Sequence, residues 1–356
     1  MEFGLSLLPD TGPDERPAQE YYENALAISR LADHMGLEYL KMTEHYLQPY
    51  GGYCPSPLAF LSAVSAVTSR IRLMTGGIQA SFHHPIQIAA QTAQLDALSN
   101  GRLDAGFARA FLPYEFDAFG VDIDSSTERF RATVKAVLRL WTEPKATENN
   151  AFFRYADATS YPRPTQHPHP PVWGAALLTQ SSFEWLGDMG LNLLFASPPR
   201  PDDIPRALEL IDCYKERFGA SPHAAGRRPK VAVSVPLLIA ESDDEARDCG
   251  RRLLRRHWEK FTEAAGAWNN RTSPAYEGYQ TAIRKKFGSG VGDTELESTA
   301  VFGSPENALQ KVEAIRESLG PDVILWQVDF GQQPLKTMER TVRLFAEHVR
   351  PSLAAG

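Results

Sequence analysis

The sequence predicts an α/β fold: one (β/α)8 TIM barrel over residues 1–356, with an excursion before the fifth strand and a mobile lid at 264–300 after the seventh. Three observations carry that expectation. Short apolar, β-branched stretches alternate with longer segments of helical period along most of the chain. A length of 356 residues suits one large barrel, and no internal repeat or low-complexity segment divides it. The residues richest in chemistry follow the strand ends, where parallel α/β sheets build their sites.

Glu2 to Leu8 reads as the first strand, and a polar loop separates it from a helix at Gln19 to Met35 that Gly36 ends. Glu38 to Thr43 is the second strand and delivers Glu44-His45-Tyr46 to its C-terminal end. One histidine beside a carboxylate is a weak signal alone, although an imidazole that titrates near neutral pH can take a proton and return it. The next loop, Leu47 to Pro57, is aromatic and rich in Gly and Pro, as loops lining a site are. Leu58 to Thr68 then reads as a helix without a charged face, so a second burial partner is expected: another copy of the chain, or the chain's own loops.

The centre of the chain is a βαβ unit with two long exits. Ile71 to Thr75 is a strand ending in Gly76-Gly77, where no side chain keeps a ligand off the backbone. Pro85 suits a first helical position, and Ile86, Ala89, Ala90, Ala93 and Ala97 recur at helical spacing up to Asn100-Gly101. Leu103 to Ala108 is the fourth strand, with Arg109 at its end.

Ser125-Ser-Thr-Glu128 reads as a capping box opening a helix at Arg129 to Trp141. A hairpin at Phe152 to Tyr161 forms the excursion, and Val172 to Ala176 is the fifth strand. The hydroxyls of Thr179, Ser181 and Ser182 at the next helix start allow either ordinary capping or an anion site. Arg109 on the neighbouring strand favours the anion, because a guanidinium fork with helix-terminal donors fits a phosphate dianion.

Leu191 to Phe195, Lys230 to Ile239 and Val323 to Val328 complete the ring, with helices at Asp202 to Phe218, after Ser242-Asp-Asp-Glu245, after Ser304-Pro305-Glu306 and at Pro334 to Val349. Residues 264–300 contain Trp268, Tyr276, Tyr279 and the run Gly288 to Gly292 with poor periodicity; composition alone equally allows an unstructured surface insertion.

A net charge of −7 gives no electrostatic footprint for nucleic acid. Three scattered cysteines fit a reducing compartment, and His167-Pro-His169 lacks a third ligand nearby, so no metal is expected. The longest apolar run is too short for a bilayer and the N-terminus lacks a basic leader, which points to a cytoplasmic protein without membrane or nucleic-acid partners. No G-x-G-x-x-G fingerprint for a dinucleotide occurs.

Thr75-Gly-Gly-Ile78, His84-Pro85, Leu95-Asp96, Ser99-Asn-Gly-Arg102, Gly106, Arg109 and Glu115-Phe…Phe119-Gly120 resemble, in order and spacing, the bacterial luciferase-like flavin monooxygenases. The resemblance implies a flavin-dependent monooxygenase that uses reduced FMN and O2, through a flavin hydroperoxide, to oxygenate a small apolar or aromatic organic molecule such as a biosynthetic intermediate. It implies acid-base work for His45 with Glu44, and flavin contacts from Gly76, Gly77, Ala108, Arg109, Leu178, Thr179, Ser181 and Ser182, with a cis peptide at Gly76-Gly77. Tyr46, Phe82, Phe111, Tyr114 and Glu115 would line the substrate space. A separate flavin reductase and a homodimer built on the second and third barrel helices complete the expectation. Leu178 and Ala108 replace a carboxylate and a cysteine of the light-emitting subunit, so light emission does not carry over. A deazaflavin-dependent hydride-transfer enzyme shares the barrel, but the exit Gly106-Phe-Ala-Arg-Ala-Phe lacks its glycine-rich turn. From another class, a non-catalytic flavin-binding protein would not need Glu44-His45.

Overall fold

The computed structural model describes residues 1–177, 179–195, 197–280 and 292–355. Its strands are β1 (Glu2–Leu7), β2 (Tyr39–Met42), β3 (Arg72–Thr75), β4 (Ile78–Gln79), β5 (Leu103–Ala108), β6 (Ala146–Asn149), β7 (Arg154–Ala158), β8 (Val172–Ala176), β9 (Asn192–Phe195), β10 (Val231–Ile239), β11 (Val301–Gly303) and β12 (Val323–Gln327). The helices are α1 (Ala18–His34), α2 (Pro57–Ser65), α3 (Pro85–Leu98), α4 (Pro113–Phe119), α5 (Ser126–Thr142), α6 (Gln180–Asp188), α7 (Ile204–Ala220), α8 (Asp243–Ala265), α9 (Asp293–Glu297), α10 (Pro305–Leu319), α11 (Leu335–Leu344) and α12 (Arg350–Ala355).

Strands β1, β2, β3, β5, β8, β9, β10 and β12 run parallel and close into a ring, because β12 pairs with β1 on one side and with β10 on the other, and β10 also pairs with β9. This is the (β/α)8 barrel that the sequence predicts. Side chains alternate along each strand, so one set meets the helices and the other fills the ring. Leu5, Leu40, Leu73, Phe107, Val233 and Trp326 belong to the outer core. Tyr39, Met74, Trp173, Leu194, Ala232, Val323 and Leu325 pack as a separate inner layer.

The excursion is the antiparallel hairpin β6–β7, whose first strand precedes the stretch Phe152 to Tyr161 where the hairpin was expected. Two strands were not expected. Two-residue β4 continues past Gly76-Gly77 to pair with β5, and β11 pairs with Leu237 to Ile239, where the nine-residue β10 overshoots the ring. The expected capping box at Ser125 does not form: α5 begins at Ser126, the Ser125 hydroxyl donates to the Asp122 carbonyl at 2.9 Å, and the Asp122 carboxylate accepts from the Asp124 and Ser125 N–H groups. Asp122 therefore organises that turn. The caps at Ser242 and Ser304 do form, each hydroxyl accepting from the N–H three residues on.

The segment expected as a lid is packed where it is described. Residues Gly266–Asn270 and Pro274–Tyr276 form single turns, and Trp268 and Tyr276 are buried against Ala110 and Phe116. Residues 281–291, which include most of the glycine run, lie outside the described residues. Among the described residues no helix is long and apolar enough to cross a membrane.

Candidate active site at the barrel mouth

His45, just beyond β2, is buried at 5 % exposure with Phe111 edge-on to its ring at 5.5 Å. Its Nδ1 has two neighbours, Glu115 Oε1 at 3.2 Å and Gln79 Nε2 at 3.1 Å. These compete for the tautomer, since a proton on Nδ1 can donate to the carboxylate, whereas the amide can donate only to a bare Nδ1. A hydrogen bond to a carboxylate is roughly twice as strong as a neutral one, so Nδ1–H toward Glu115 wins. In the neutral ring His45 Nε2 is then the nitrogen without a proton, the one able to act as a base.

The partnership differs from the expected one. Glu115, expected along the substrate space, is fully buried and also accepts the Tyr46 N–H at 2.8 Å, so it positions His45. Glu44 makes no hydrogen bond to the His45 side chain among the described residues; its Oε1 accepts from the Tyr46 hydroxyl and lies against His83 Nε2, both at 2.5 Å, while Oε2 accepts from the Gln79 N–H at 3.1 Å. Gln79 bridges the two residues, its N–H donating to Glu44 and its side-chain amide lying against His45 Nδ1. Burial, with the Glu44 carboxylate beside it, pushes the Tyr46 hydroxyl far up, so it stays a donor.

Gln79 and His83 were not singled out from sequence, although Gln79 ends β4 and His83 lies in the loop that follows. A signal did exist: β4 is too short to show periodicity, but two histidines and a glutamine within six residues of a strand exit are candidates for a polar cluster.

The Gly76–Gly77 peptide is cis, as expected from the resemblance. The reason for two glycines is internal crowding. A Cβ on Gly77 would lie 2.6 Å from the Phe107 carbonyl carbon, and one on Gly76 would lie 2.2 Å from the Lys41 stem. Gly106 is equally tight, at 1.9 Å from the Thr75 carbonyl oxygen. Close approach of β3 and β5 demands Gly77 and Gly106, and the Lys41 stem from β2 fills the space beside Gly76, before any ligand does.

Arg109 stands half-buried at the end of β5, next to Ala108. Its Nη1 donates to Thr127 Oγ1 and, at 3.0 Å, to the Ala275 carbonyl, and its guanidinium lies 3.8 Å from the Tyr276 ring centroid. Among the described residues it has no hydrogen bond to Thr179, Ser181 or Ser182. Thr179 precedes α6 without using its hydroxyl as a cap, and Thr179 and Ser181 are exposed, with Ser182 half-buried. Leu178 lies outside the described residues. Arg131 on α5 reaches this end instead: its Nη2 donates to the Ser181 carbonyl at 2.9 Å, and its guanidinium lies over the Trp185 ring. Burial, then the charge of nearby Arg109, pulls Arg131 below its ordinary range, so two cations share this corner. Fifty positions separate Arg131 from Ser181, and nothing in linear spacing points to their meeting.

Aromatic side chains cover the mouth. Phe82 stacks on Phe119 at 4.7 Å and meets Phe116 edge-on; Phe111 meets Tyr50 and Tyr279. Tyr46, Phe82, Phe111 and Tyr114 all keep part of their surface open.

The profile of the family described as luciferase-like monooxygenase matches residues 1–322. The oxygenase component of the flavin-dependent trigonelline monooxygenase of Acinetobacter baylyi is 27% identical over 271 residues, covering 75% of this chain and 72% of that one. The solved monooxygenase RslO1 of Streptomyces bottropensis is 33% identical with a TM-score of 0.84, covering 99% of this chain and 100% of that chain. The oxygenating constituent of the 3,6-diketocamphane monooxygenase of Pseudomonas putida, a type II Baeyer-Villiger enzyme solved with FMN, shares the fold with a TM-score of 0.75 at 18% identity, covering 99% of this chain and 98% of that one. A family profile over nine-tenths of the chain, on a closed barrel with a buried histidine–carboxylate pair at its mouth, settles the assignment: the chain belongs to the luciferase-like monooxygenase family.

Proposed function

We propose that this chain is the oxygenase of a two-component system, taking reduced FMN from a separate reductase and oxygenating a small apolar or aromatic molecule with O2. The observation that carries this reading is His45, held by buried Glu115 with Nε2 left as a base under an aromatic cover. A storage protein has no use for such a base. The residues also fit the flavin. Gln79 Oε1, Glu115 Oε2 and the Tyr114 hydroxyl are buried without partners, and a ring bearing carbonyl and N–H groups would satisfy groups of this kind. Arg109, Arg131 and the hydroxyl-bearing start of α6 suit its phosphate.

When bound, reduced FMN supplies the electrons that activate O2. The protein's own part is to hold the ring near Gly76-Gly77, exclude water with Phe111, Tyr276 and Tyr279, and exchange a proton at His45 Nε2. Because the Ala275 carbonyl and Tyr276 ring occupy Arg109, residues 266–280 act as a lid that yields when phosphate arrives. The absence of a dinucleotide fingerprint supports a reductase partner.

The outer surface of α2 and α3 supports a homodimer. Ala59 and Ala63 on α2 and Ala66 just past its end are exposed, as are Gln91, Gln94 and Leu98 on α3, with no exposed charged side chain on either helix. Incubation with reduced FMN, 18O2 and panels of apolar and aromatic candidates, read by mass spectrometry, tests the activity. Incorporation of one labelled oxygen supports it; flavin binding without any labelled product across such panels counts against it.

A further inference from the structure

The barrel interior changes chemistry between two layers. Below is the apolar layer of Tyr39, Met74, Trp173, Leu194, Ala232, Val323 and Leu325. Two residues nearer the strand C-termini, the same inward positions hold Lys41 on β2, Gly76 after β3, Ser234 on β10 and Gln327 on β12. Ser6 of β1 is in register with both Lys41 and Gln327, so it joins this layer.

The polar layer is buried and incompletely partnered. Lys41 is 3 % exposed, and its ammonium makes no hydrogen bond or ion pair among the described residues. The Ser234 hydroxyl and Gln327 Nε2 are buried without partners. A desolvated cation is expensive unless something negative meets it. Burial draws the ammonium down to about 8, and the nearby Asp329 carboxyl opposes that shift. Asp329 is already engaged by the Leu8 N–H and the Tyr21 hydroxyl. The Lys41 stem lies against Gly76, since a Cβ there would sit 2.2 Å from its Cγ and Cδ. The Lys41 stem therefore adjoins the peptide on which the flavin ring is read to rest.

Reduced isoalloxazine can lose the N1 proton, spreading negative charge over N1 and the C2 carbonyl, whereas the oxidised ring is neutral; a fixed charge beside this edge tunes the cofactor. We propose that Lys41 is a cofactor-tuning residue whose ammonium, with Ser234 and Gln327, meets the anionic edge of reduced FMN and makes the site prefer reduced over oxidised flavin. The inference rests on the flavin reading above. No proton or electron transfer to Lys41 is involved.

The test is anaerobic titration of the native protein, Lys41→Met and Lys41→Gln with oxidised and with reduced FMN, followed by fluorescence and by the absorption spectrum of the bound reduced ring. Met matches the stem without charge, and Gln keeps a hydrogen-bonding end; circular dichroism checks that each folds. In both variants Kd for reduced FMN should rise at least tenfold, Kd for oxidised FMN should stay within about twofold, and the bound reduced ring should ionise at higher pH. If native protein binds reduced FMN and both variants bind it equally well, or lose both redox forms equally, the assignment of Lys41 is overturned while the flavin reading stands. If native protein binds neither form, both are overturned. Should neither variant fold, selective 15N labelling of the native lysines replaces them: an Nζ resonance whose pKa rises with reduced but not oxidised FMN supports the role, and its absence refutes it.

Discussion

The guanidinium of Arg109 lies 3.8 Å from the centre of the Tyr276 ring, so the strand end that should receive phosphate is covered by a residue 167 positions later in the chain. A cation over a tyrosine face is worth about 0.5–2 kcal/mol, less than a charge-assisted pair with a dianion can return. Arg109→Ala should weaken FMN binding by about 1.5 to 3 kcal/mol with the fold intact. Tyr276→Ala should leave the affinity equal or higher and speed association in stopped-flow fluorescence. Unchanged affinity in Arg109→Ala would remove this residue from the phosphate corner.

His45→Gln should lower the oxygenation rate by roughly 10² to 10⁴-fold, the usual contribution of a positioned base, with FMN affinity nearly unchanged. Glu115→Gln keeps the shape but weakens the hold on Nδ1, and about tenfold in kcat is expected, with little change in KM. Equal rates in native and His45→Gln protein would place the proton exchange elsewhere.

Asp329 gives a pH signature. Burial pushes its carboxyl up to about 7, with the Asp10 carboxylate adding to the rise. Between the ordinary carboxylate range and pH 7 the folded protein therefore holds a proton that the unfolded chain has released. Stability from this group is complete at low pH and is lost as pH climbs through about 7. Asp329→Asn, which mimics the protonated form, should be insensitive to that climb, and its unfolding free energy from chemical denaturation should exceed the native one by roughly 2–4 kcal/mol at pH 8. Parallel curves from pH 5 to 8 would contradict this account.

Ala63 is exposed in the middle of the uncharged α2 surface. Ala63→Glu should shift a dimer toward monomer, because an interface core tolerates an unpaired buried carboxylate poorly. Light scattering on the native protein decides first: a monomer at micromolar concentration would reject the interface.

The barrel is legible along the chain, because strand and helix periods and the caps at Ser56, Ser242 and Ser304 are local properties that survive in one dimension. Ser56 was not named in advance, yet Ser-Pro before an apolar run carries the same signal. The ordered glycines, Glu44-His45 and Arg109 were legible for the same reason: each sits next to a strand end. What the sequence could not show is which of these touch. His45 finds Glu115 seventy residues away and not its neighbour Glu44; Arg131 reaches Ser181; Ala275 and Tyr276 cover Arg109. Strand register and barrel closure decide these meetings, and neither leaves a mark on local spacing. The same closure turns Lys41, one residue of an otherwise apolar strand, into an unpaired charge inside the ring.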